Sequence, residues 1–217
     1  MKRIIFTLLI LFISLSTFAQ ENRIYDNLEY ALKNPLKVYN LNLSSQKLRI
    51  LPKEIGKLKN LVSLSIYGNL LTELPNEIGN LENLERLNIH DNKLNELPTS
   101  IMSLKKLRYL SLSENKFTEL PISIGYLENL VELLLDHNKL KELPLEIEKL
   151  KKLEKLHLGN NKFTTMQLEI CELENLKQLS FRSNKLNTMP REIEKLKNLE
   201  TLILIGNNIN YLPIEIV

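Results

Sequence analysis

The sequence predicts a right-handed α/β solenoid, in which short parallel strands form a concave β-sheet and short helical or 3₁₀ turns form the convex side. The first observation is a period: a Leu-Pro pair recurs every 23 residues without insertion, from Leu51-Pro52 to Leu212-Pro213, with Met-Gln and Met-Pro in two copies. The second is that each period contains a strand-like and a turn-like apolar pattern. Repeats of about 20 to 50 residues are typical of arrays whose coils stack into one continuous core.

One copy shows why each period predicts a strand and a turn. Leu64 and Ile66 are two residues apart, so they point to the same side of a strand, while Ser65 points to the other side. Ile55 and Leu58 are three residues apart, which is the spacing of one face of a helical or 3₁₀ turn. A single copy cannot bury both apolar faces, whereas stacked copies can. We therefore expect the array to curve with its strands on the inside.

Asn occupies a fixed position after each predicted strand, from Asn69 to Asn207. Its amide can satisfy backbone groups that a tight buried turn leaves unpaired. The first copy has Gln46 instead, as expected of an end unit. Gln167 replaces the recurring proline once, which predicts a looser turn at that point.

The repeat frame carries a resemblance to a known family. Residues 61–71 fit L-x-x-L-x-L-x-x-N-x-L, and the frame recurs in eight copies, of which the first, residues 38–48, is imperfect. At these residues the sequence resembles the leucine-rich-repeat family in its 23-residue form, over residues 38–217. Closely similar repeats are common in exported proteins of pathogenic bacteria and in cytosolic signalling scaffolds of eukaryotes. The resemblance implies a recognition module.

Residues 1–19 predict a secretory signal peptide. Lys2 and Arg3 precede an apolar stretch, and the small residues Thr17 and Ala19 stand at −3 and −1 of a cut after Ala19. The stretch is shorter than the roughly 20 residues of a membrane-spanning helix. An uncleaved membrane anchor is the alternative. We expect a secreted, cell-surface or periplasmic protein, of bacterial type, without a membrane span after cleavage.

The two ends of the array are expected to differ. Residues 20–37 predict an N-terminal capping helix, because Ile24, Leu28 and Leu32 form an apolar stripe that Asn34-Pro35 terminates. A partner-binding helix is the alternative. The leucine-rich-repeat domain then spans residues 38–217, with seven full repeats after the first copy's strand and a closing half repeat. The apolar character of this last unit makes self-association through the C-terminal end a hypothesis.

Composition and side-chain chemistry argue against an enzyme. The chain has 29 basic and 26 acidic residues, and its net charge of +3 is too small to indicate binding of nucleic acid. The single cysteine, Cys171, has acidic neighbours rather than the base or cation that activates a thiol. His90, His137 and His157 lie too far apart, or are too displaced along the strands, for joint metal ligation. We expect no catalytic activity, no cofactor and no metal.

Outward strand positions form three lanes across the predicted sheet. The first lane runs Asn40, Ser63, Arg86, Tyr109, Glu132, Lys155, Gln178, Thr201. The second lane runs Asn42, Ser65, Asn88, Ser111, Leu134, His157, Ser180, Ile203. The third lane runs Ser44, Tyr67, His90, Ser113, Asp136, Gly159, Arg182, Ile205.

Recognition is predicted where these lanes carry residues that the repeat frame does not require. Tyr and Arg are frequent interface anchors, and apolar side chains in a groove suggest a partner surface, although isolated ones on a broad face are ordinary. The candidate partner-binding residues are Tyr67, Arg86, His90, Tyr109, Glu132, Leu134, Asp136, Lys155, His157, Arg182, Ile203 and Ile205.

The predicted function is that of an exported module that binds a protein through its concave face. A host cell-surface or extracellular-matrix protein is the candidate partner, and a glycan is the weaker alternative. Two other functions stay open: a self-assembling structural protein of the envelope, and an intracellular signalling scaffold if residues 1–19 are not a leader.

Overall fold

Residues 23–214 are described by the computed structural model, and within them nine parallel strands form one sheet in chain order. The strands are β1 (Ile24–Tyr25), β2 (Asn40–Asn42), β3 (Ser63–Ser65), β4 (Arg86–Asn88), β5 (Tyr109–Ser111), β6 (Glu132–Leu134), β7 (Lys155–His157), β8 (Gln178–Ser180) and β9 (Thr201–Ile203). The predicted parallel solenoid is confirmed. We call each strand with the turns that follow it a rung, and name the rung by its strand.

The convex side consists of 3₁₀ helices, as predicted. Those between β2 and β9 span Lys53–Lys57, Asn76–Asn80, Thr99–Ser103, Ile122–Tyr126, Leu145–Lys149, Leu168–Glu172 and Arg191–Lys195. Each follows a residue in extended conformation that is proline in every copy except at Gln167. The prediction of a looser turn at Gln167 is wrong, because its side-chain amide accepts a hydrogen bond from the Leu143 N–H at 2.6 Å and donates one to the Leu143 carbonyl at 3.0 Å.

One apolar core runs through the stack of rungs. In rung β3, Leu64 on the strand and Ile66 and Leu71 after it are almost wholly buried, together with Ile78 from the following 3₁₀ helix. Burial of this core is less complete in rung β9, the last described one. There the corresponding Leu202 is only partly buried.

The predicted asparagine ladder is confirmed, and it ties each rung to the one before it. In rung β5, the Asn115 Oδ1 accepts from the Leu94 N–H at 3.0 Å, while its Nδ2 donates to the carbonyls of Ile89 and Leu112, both at 3.0 Å. Leu94 and Ile89 belong to the preceding rung. Gln46, which lacks a ladder role, instead donates from Nε2 to the Asp26 carbonyl at 2.7 Å.

The N-terminal segment differs from the continuous helix predicted for residues 20–37. Strand β1 pairs in parallel with β2, and only then does a short helix α1 (Leu28–Leu32) begin, followed by a 3₁₀ turn (Pro35–Lys37). Strand pairing prevails at the start of this segment because β1 covers the edge of β2, whose backbone groups would otherwise face solvent.

Helix α1 retains part of the predicted apolar stripe. Asn27 caps it, with Oδ1 accepting from the Tyr30 N–H at 2.8 Å. Leu28 and Leu32 pack against the core, whereas Ile24, now on β1, is 66% exposed. The predicted signal peptide lies outside the described residues. Within residues 23–214, no helix is long and apolar enough to cross a membrane.

Candidate functional site

The outward surface of the sheet, which we call the concave face, carries the three lanes at the predicted positions. Parallel register sets equivalent residues side by side, so Tyr109 lies opposite Glu132 and Ser111 opposite Leu134. Between them the strand's central residue, Leu110, is fully buried. Side chains of one lane are therefore neighbours in space, although they are 23 residues apart in the chain.

The predicted aromatic and basic residues form two stacked pairs. The rings of Tyr67 and His90 stack with their centroids 5.6 Å apart. The Arg86 guanidinium lies 4.3 Å from the centroid of the Tyr109 ring, which is a favourable cation–π distance. Each pair joins two neighbouring rungs, so these large side chains are held in place on the surface.

Charged residues of the next rungs are also paired. The Lys155 Nζ lies 3.1 Å from the Glu132 Oε1 in a partly exposed ion pair. The Asp136 Oδ1 accepts a hydrogen bond from the Gly159 N–H at 2.7 Å, and its Oδ2 lies 3.7 Å from the His157 Nδ1. The hydrogen bond to the backbone fixes the orientation of the Asp136 carboxylate.

A depression of about 450 Å³ lies at rung β5, between these two groups. Its floor contains Ser111 and Ser113, which are 3% and 7% exposed. The lining residues are Asn88, His90, Tyr109, Ser111, Ser113, Leu134, Asp136 and His137. The depression is one rung wide, because two short serines lie between the longer side chains of rungs β4 and β6.

Acidic residues follow strands β4 and β5, just beyond the lanes. Asp91 and Glu114 occupy equivalent positions of rungs β4 and β5, and both have positive φ, 53° in each case, so the chain turns away from the sheet there. The Glu114 Oε1 is 3.9 Å from the His90 Nε2. Lys116, two residues after Glu114, lines a different depression on the flank of the solenoid. Of the carboxylate residues Asp91, Glu114 and Asp136, only Asp136 lines the depression.

Three of the predicted site residues lie away from this centre. Arg182 belongs to rung β8, and its backbone N–H donates to the Ser180 Oγ at 3.4 Å. Ile203 and Ile205 belong to rung β9 at the C-terminal end of the described array, where Ile205 is 73% exposed. The concave face therefore has a polar and aromatic centre and a separate apolar end.

Sequence reasoning did not single out the floor of the depression. Ser111 and Ser113 are inconspicuous by residue type, and Glu114 and His137 fall just beyond the lanes. The available signal was a small residue between two larger ones in the same lane, as in Asn88, Ser111, Leu134 and in His90, Ser113, Asp136.

Cys171 is fully buried in the core. Burial, followed by the charge of Glu192, raises the pKa of its thiol to about 11. Its position corresponds to the glycines of other 3₁₀ helices, such as Gly125, so the thiol is a packing group. Among residues 23–214, no group of three or more His, Cys, Asp or Glu side chains is placed to hold a metal ion.

Comparison with known families agrees with this architecture. A family described as leucine-rich repeat region matches residues 99–180, and a leucine-rich-repeat family matches residues 60–81 and 83–104. The chain belongs to the leucine-rich-repeat family. A search of curated proteins gives no match.

Solved structures show the same fold. A leucine-rich-repeat protein of Leptospira interrogans is 46% identical, with a TM-score of 0.77, over 90% of this chain and 56% of that one. An internalin of Listeria monocytogenes is 24% identical, with a TM-score of 0.74, over 88% of this chain and 54% of that one. The chain thus spans about half the length of these two proteins. A third similar structure is the ectodomain of a plant membrane receptor kinase from Arabidopsis thaliana, in complex with CASPARIAN STRIP INTEGRITY FACTOR 2. It is 26% identical to this chain, with a TM-score of 0.59, over 77% of this chain and 24% of that one.

Proposed function

We propose that this protein is an exported recognition module that binds a protein ligand through its concave face. The observation that supports this most directly is the convergence of side chains around the depression. The stacked pairs that contain Tyr67 and Tyr109 lie on rungs β3 to β5. The apolar Leu134 and the oriented Asp136 lie on the next rung, β6. Anchoring aromatic and arginine side chains of this kind dominate the energetics of many protein interfaces.

Similar structures support the same kind of function. Besides the ectodomain in complex with CASPARIAN STRIP INTEGRITY FACTOR 2, a plant peptide hormone receptor in complex with RGF2 is 26% identical to this chain, with a TM-score of 0.59. The fold thus serves polypeptide binding in distant proteins. For this chain, the export signal predicted in residues 1–19 favours a partner outside the cytosol, and a host-surface or extracellular-matrix protein is the candidate.

A pull-down tests the proposal. Residues 20–217 are exposed to host-surface and bacterial-envelope extracts as wild type and as the concave variant Tyr67→Ala, Tyr109→Ala, Leu134→Ser. A convex variant, Ile122→Ala, Tyr126→Ala, Leu145→Ser, is the matched control, because these side chains are also exposed. We expect a partner that wild type and the convex variant retain and a still-folded concave variant loses. Equal retention by all three proteins contradicts recognition through the concave face.

Self-assembly is the second candidate function, and rung β9 supports it. Tyr211 and Ile214 are 83% and 82% exposed, next to the exposed Ile205. No strand pairs with the outer edge of β9 within residues 23–214, and an open strand edge with apolar residues favours association. Light scattering across a concentration series tests this: oligomers that Ile214→Lys and Ile216→Lys abolish support it, and a monomer at every concentration excludes it.

A further inference from the structure

We propose that a second depression, on the flank of the solenoid, binds the phosphate group of a phosphate monoester. This depression has a volume of about 300 Å³ and lies where the chain enters strands β5 and β6. We call it the basic depression, and its lining residues are Glu85, Lys106, Arg108, Asn129, Val131 and Lys152. It shares no residue with the depression of rung β5, so the inference does not rest on the proposed function.

The lysines of the basic depression interrupt a second asparagine ladder. At the equivalent position, five copies of the repeat carry an asparagine whose Nδ2 donates to a backbone carbonyl of the preceding copy. These are Asn60, Asn83, Asn129, Asn175 and Asn198. Lys106 and Lys152 occupy this position in the two other copies between them. Because asparagine satisfies the repeat frame here, the fold does not require these two lysines.

Each lysine is held in place by an asparagine of the preceding copy. The Lys152 Nζ donates to the Asn129 Oδ1 at 2.7 Å, and the Asn129 Nδ2 donates to the Lys105 carbonyl at 2.7 Å. The Lys106 Nζ donates to the Asn83 Oδ1 at 2.7 Å, and its ammonium lies at the edge because Asn83 is outside the lining. Both acceptors are neutral amides, so the two ammonium groups are oriented without being neutralised. Each has three donors, and two of them remain for a ligand.

Arg108 supplies a third cation that has no carboxylate partner. Glu85 precedes Arg108 by one repeat, just as Glu154 precedes Lys177. Only Glu154 and Lys177 form an ion pair, at 2.9 Å. The ion pairs found among residues 23–214 include neither Arg108 nor the two lysines of the basic depression. Their three charges are therefore available to an anion from solution.

Two of these cations are placed for contact with the same small anion. The Lys152 ammonium is held at Asn129, two residues before Val131. Val131 donates its N–H to the Arg108 carbonyl at 2.8 Å, so the two rungs are in direct contact beside the lining. An arginine binds two oxygens of one phosphate through its planar fork, and a lysine adds a point charge. We expect Arg108 and Lys152 to bind the anion and Lys106 to add its charge from the edge.

The charge of the lining favours a dianion. Three cationic side chains and the single carboxylate of Glu85 leave a net charge of +2. A phosphate monoester carries about −1.5 to −2 charges at pH 7, whereas a carboxylate carries one, so the phosphate matches the lining better. A soluble ester and a lipid headgroup can both present this group. The chemistry recognised is the same, and the experiments below separate the two sources.

Titration of the ¹⁵N-labelled chain with three probes of one carbon skeleton tests the selectivity for charge. The probes are glycerol 3-phosphate, glycerate and glycerol, which carry about two, one and no negative charges at neutral pH. We expect glycerol 3-phosphate to shift the amide signals of Arg108, Asn129 and Val131 saturably, with an affinity about tenfold above that of glycerate. Inorganic phosphate should shift the same signals, and high salt should weaken the binding.

Vesicles distinguish the two sources of the phosphate group. The chain is sedimented with phosphatidylcholine vesicles that contain or lack phosphatidic acid, whose headgroup is a phosphate monoester. Sedimentation that requires phosphatidic acid, and that glycerol 3-phosphate reverses, assigns the basic depression to a lipid headgroup. Binding of glycerol 3-phosphate without such sedimentation assigns it to a soluble ester. Either outcome supports the site.

Two single variants locate the binding. Lys152→Asn introduces the residue that five other copies carry at this position, so the fold should be kept, and Arg108→Gln removes the guanidinium. Each should weaken the binding of glycerol 3-phosphate about tenfold, because a hydrogen bond from a charged donor is lost. Lys105→Gln with Lys151→Gln is the matched control, since these neighbouring ammonium groups donate to backbone carbonyls and do not line the basic depression. The control should keep most of the affinity.

Three results overturn the inference. They are glycerate binding as tightly as glycerol 3-phosphate, unchanged affinity in both single variants, and an equal loss of affinity in the control variant, which indicates only a general attraction of anions. Urea unfolding verifies that each variant is folded before its affinity is compared. None of these results bears on recognition through the concave face, because the variants of the pull-down leave Arg108 and Lys152 in place.

Discussion

Replacing Asn138 by alanine tests the asparagine ladder at the centre of the array. The Asn138 Oδ1 accepts from the Phe117 N–H at 3.0 Å, and its Nδ2 donates to the carbonyls of Leu112 at 3.0 Å and Leu135 at 3.1 Å. All three bonds are buried. Alanine therefore leaves the Phe117 N–H without a partner in a place that water does not reach.

The expected loss of stability depends on which backbone groups keep a hydrogen-bond partner in the alanine variant. The carbonyl of Leu112 still accepts from Asn115, and that of Leu135 still accepts from Asn161, so neither is left unpaired. One orphaned buried N–H costs about 1–3 kcal/mol, and each of the two lost carbonyl bonds costs about 0.5–1 kcal/mol. We expect a decrease of about 3 kcal/mol in the free energy of unfolding, a large share of the roughly 5–15 kcal/mol of a typical domain.

Asn207→Ala is the matched control. Asn207 makes the same bonds, to the Leu186 N–H at 3.0 Å and to the carbonyls of Phe181 and Leu204 at 2.8 Å, but these bonds are only partly buried. Because water can replace the lost amide there, we expect a cost of about 1 kcal/mol.

Urea unfolding followed by circular dichroism measures both variants, and hydrogen exchange of the Phe117 amide reports the orphaned group directly. The reasoning is refuted if Asn138→Ala costs less than about 1 kcal/mol, or if the two variants differ by less than about 0.5 kcal/mol. Protection of the Phe117 amide that is unchanged in the alanine variant refutes it as well.

Three further outcomes are expected. The pKa of about 11 for Cys171 predicts that a thiol reagent at pH 8 modifies it only after urea unfolds the chain, and fast reaction with the native protein contradicts this. Gly125→Ala should lower the urea midpoint, because a Cβ at this position would clash with the Glu146 carbonyl oxygen. An unchanged midpoint argues against tight packing of these 3₁₀ helices. The hydrogen bond from Lys195 lowers the pKa of Glu172, so the pair stabilises the fold above the unfolded pKa of this carboxyl and loses its effect as pH falls through the lower folded pKa. In a ¹³C titration, Lys195→Met should raise the titration midpoint of Glu172 toward its ordinary value. An unchanged midpoint excludes the pairing.

The repeat allowed most of the fold to be predicted from the sequence. Leu64 and Ile66 define a strand face only weakly by themselves, but the same spacing recurs in eight copies and fixes both the register and the buried side. The N-terminal segment has no such repetition. There the helical spacing of Ile24 and Leu28 competes with a distant interaction, the pairing of β1 with β2, which no local pattern reveals.

The sequence predicted which side chains lie on the concave face, but it did not predict the depression between them. Lane positions followed from alternation along each strand, and they placed Tyr67 and Tyr109 on the concave side. The depression depends instead on the relative heights of neighbouring side chains, so Ser111 matters because Asn88 and Leu134 are larger. The orientation of Asp136 depends on a backbone N–H in the next rung, which a single strand pattern does not contain.

The asparagine ladder also makes the molecule a one-dimensional lattice. Each unit cell is 23 residues long and bonds to its predecessor in the same way, as Asn115 does through Leu94 and Ile89. Insertion or deletion of a whole cell preserves the asparagine bonds across the junction. A change of any other length displaces an asparagine from its turn. Such a chain can lengthen by duplication while each existing cell keeps its own bonds, and its recognition surface grows by one set of lane positions at each step.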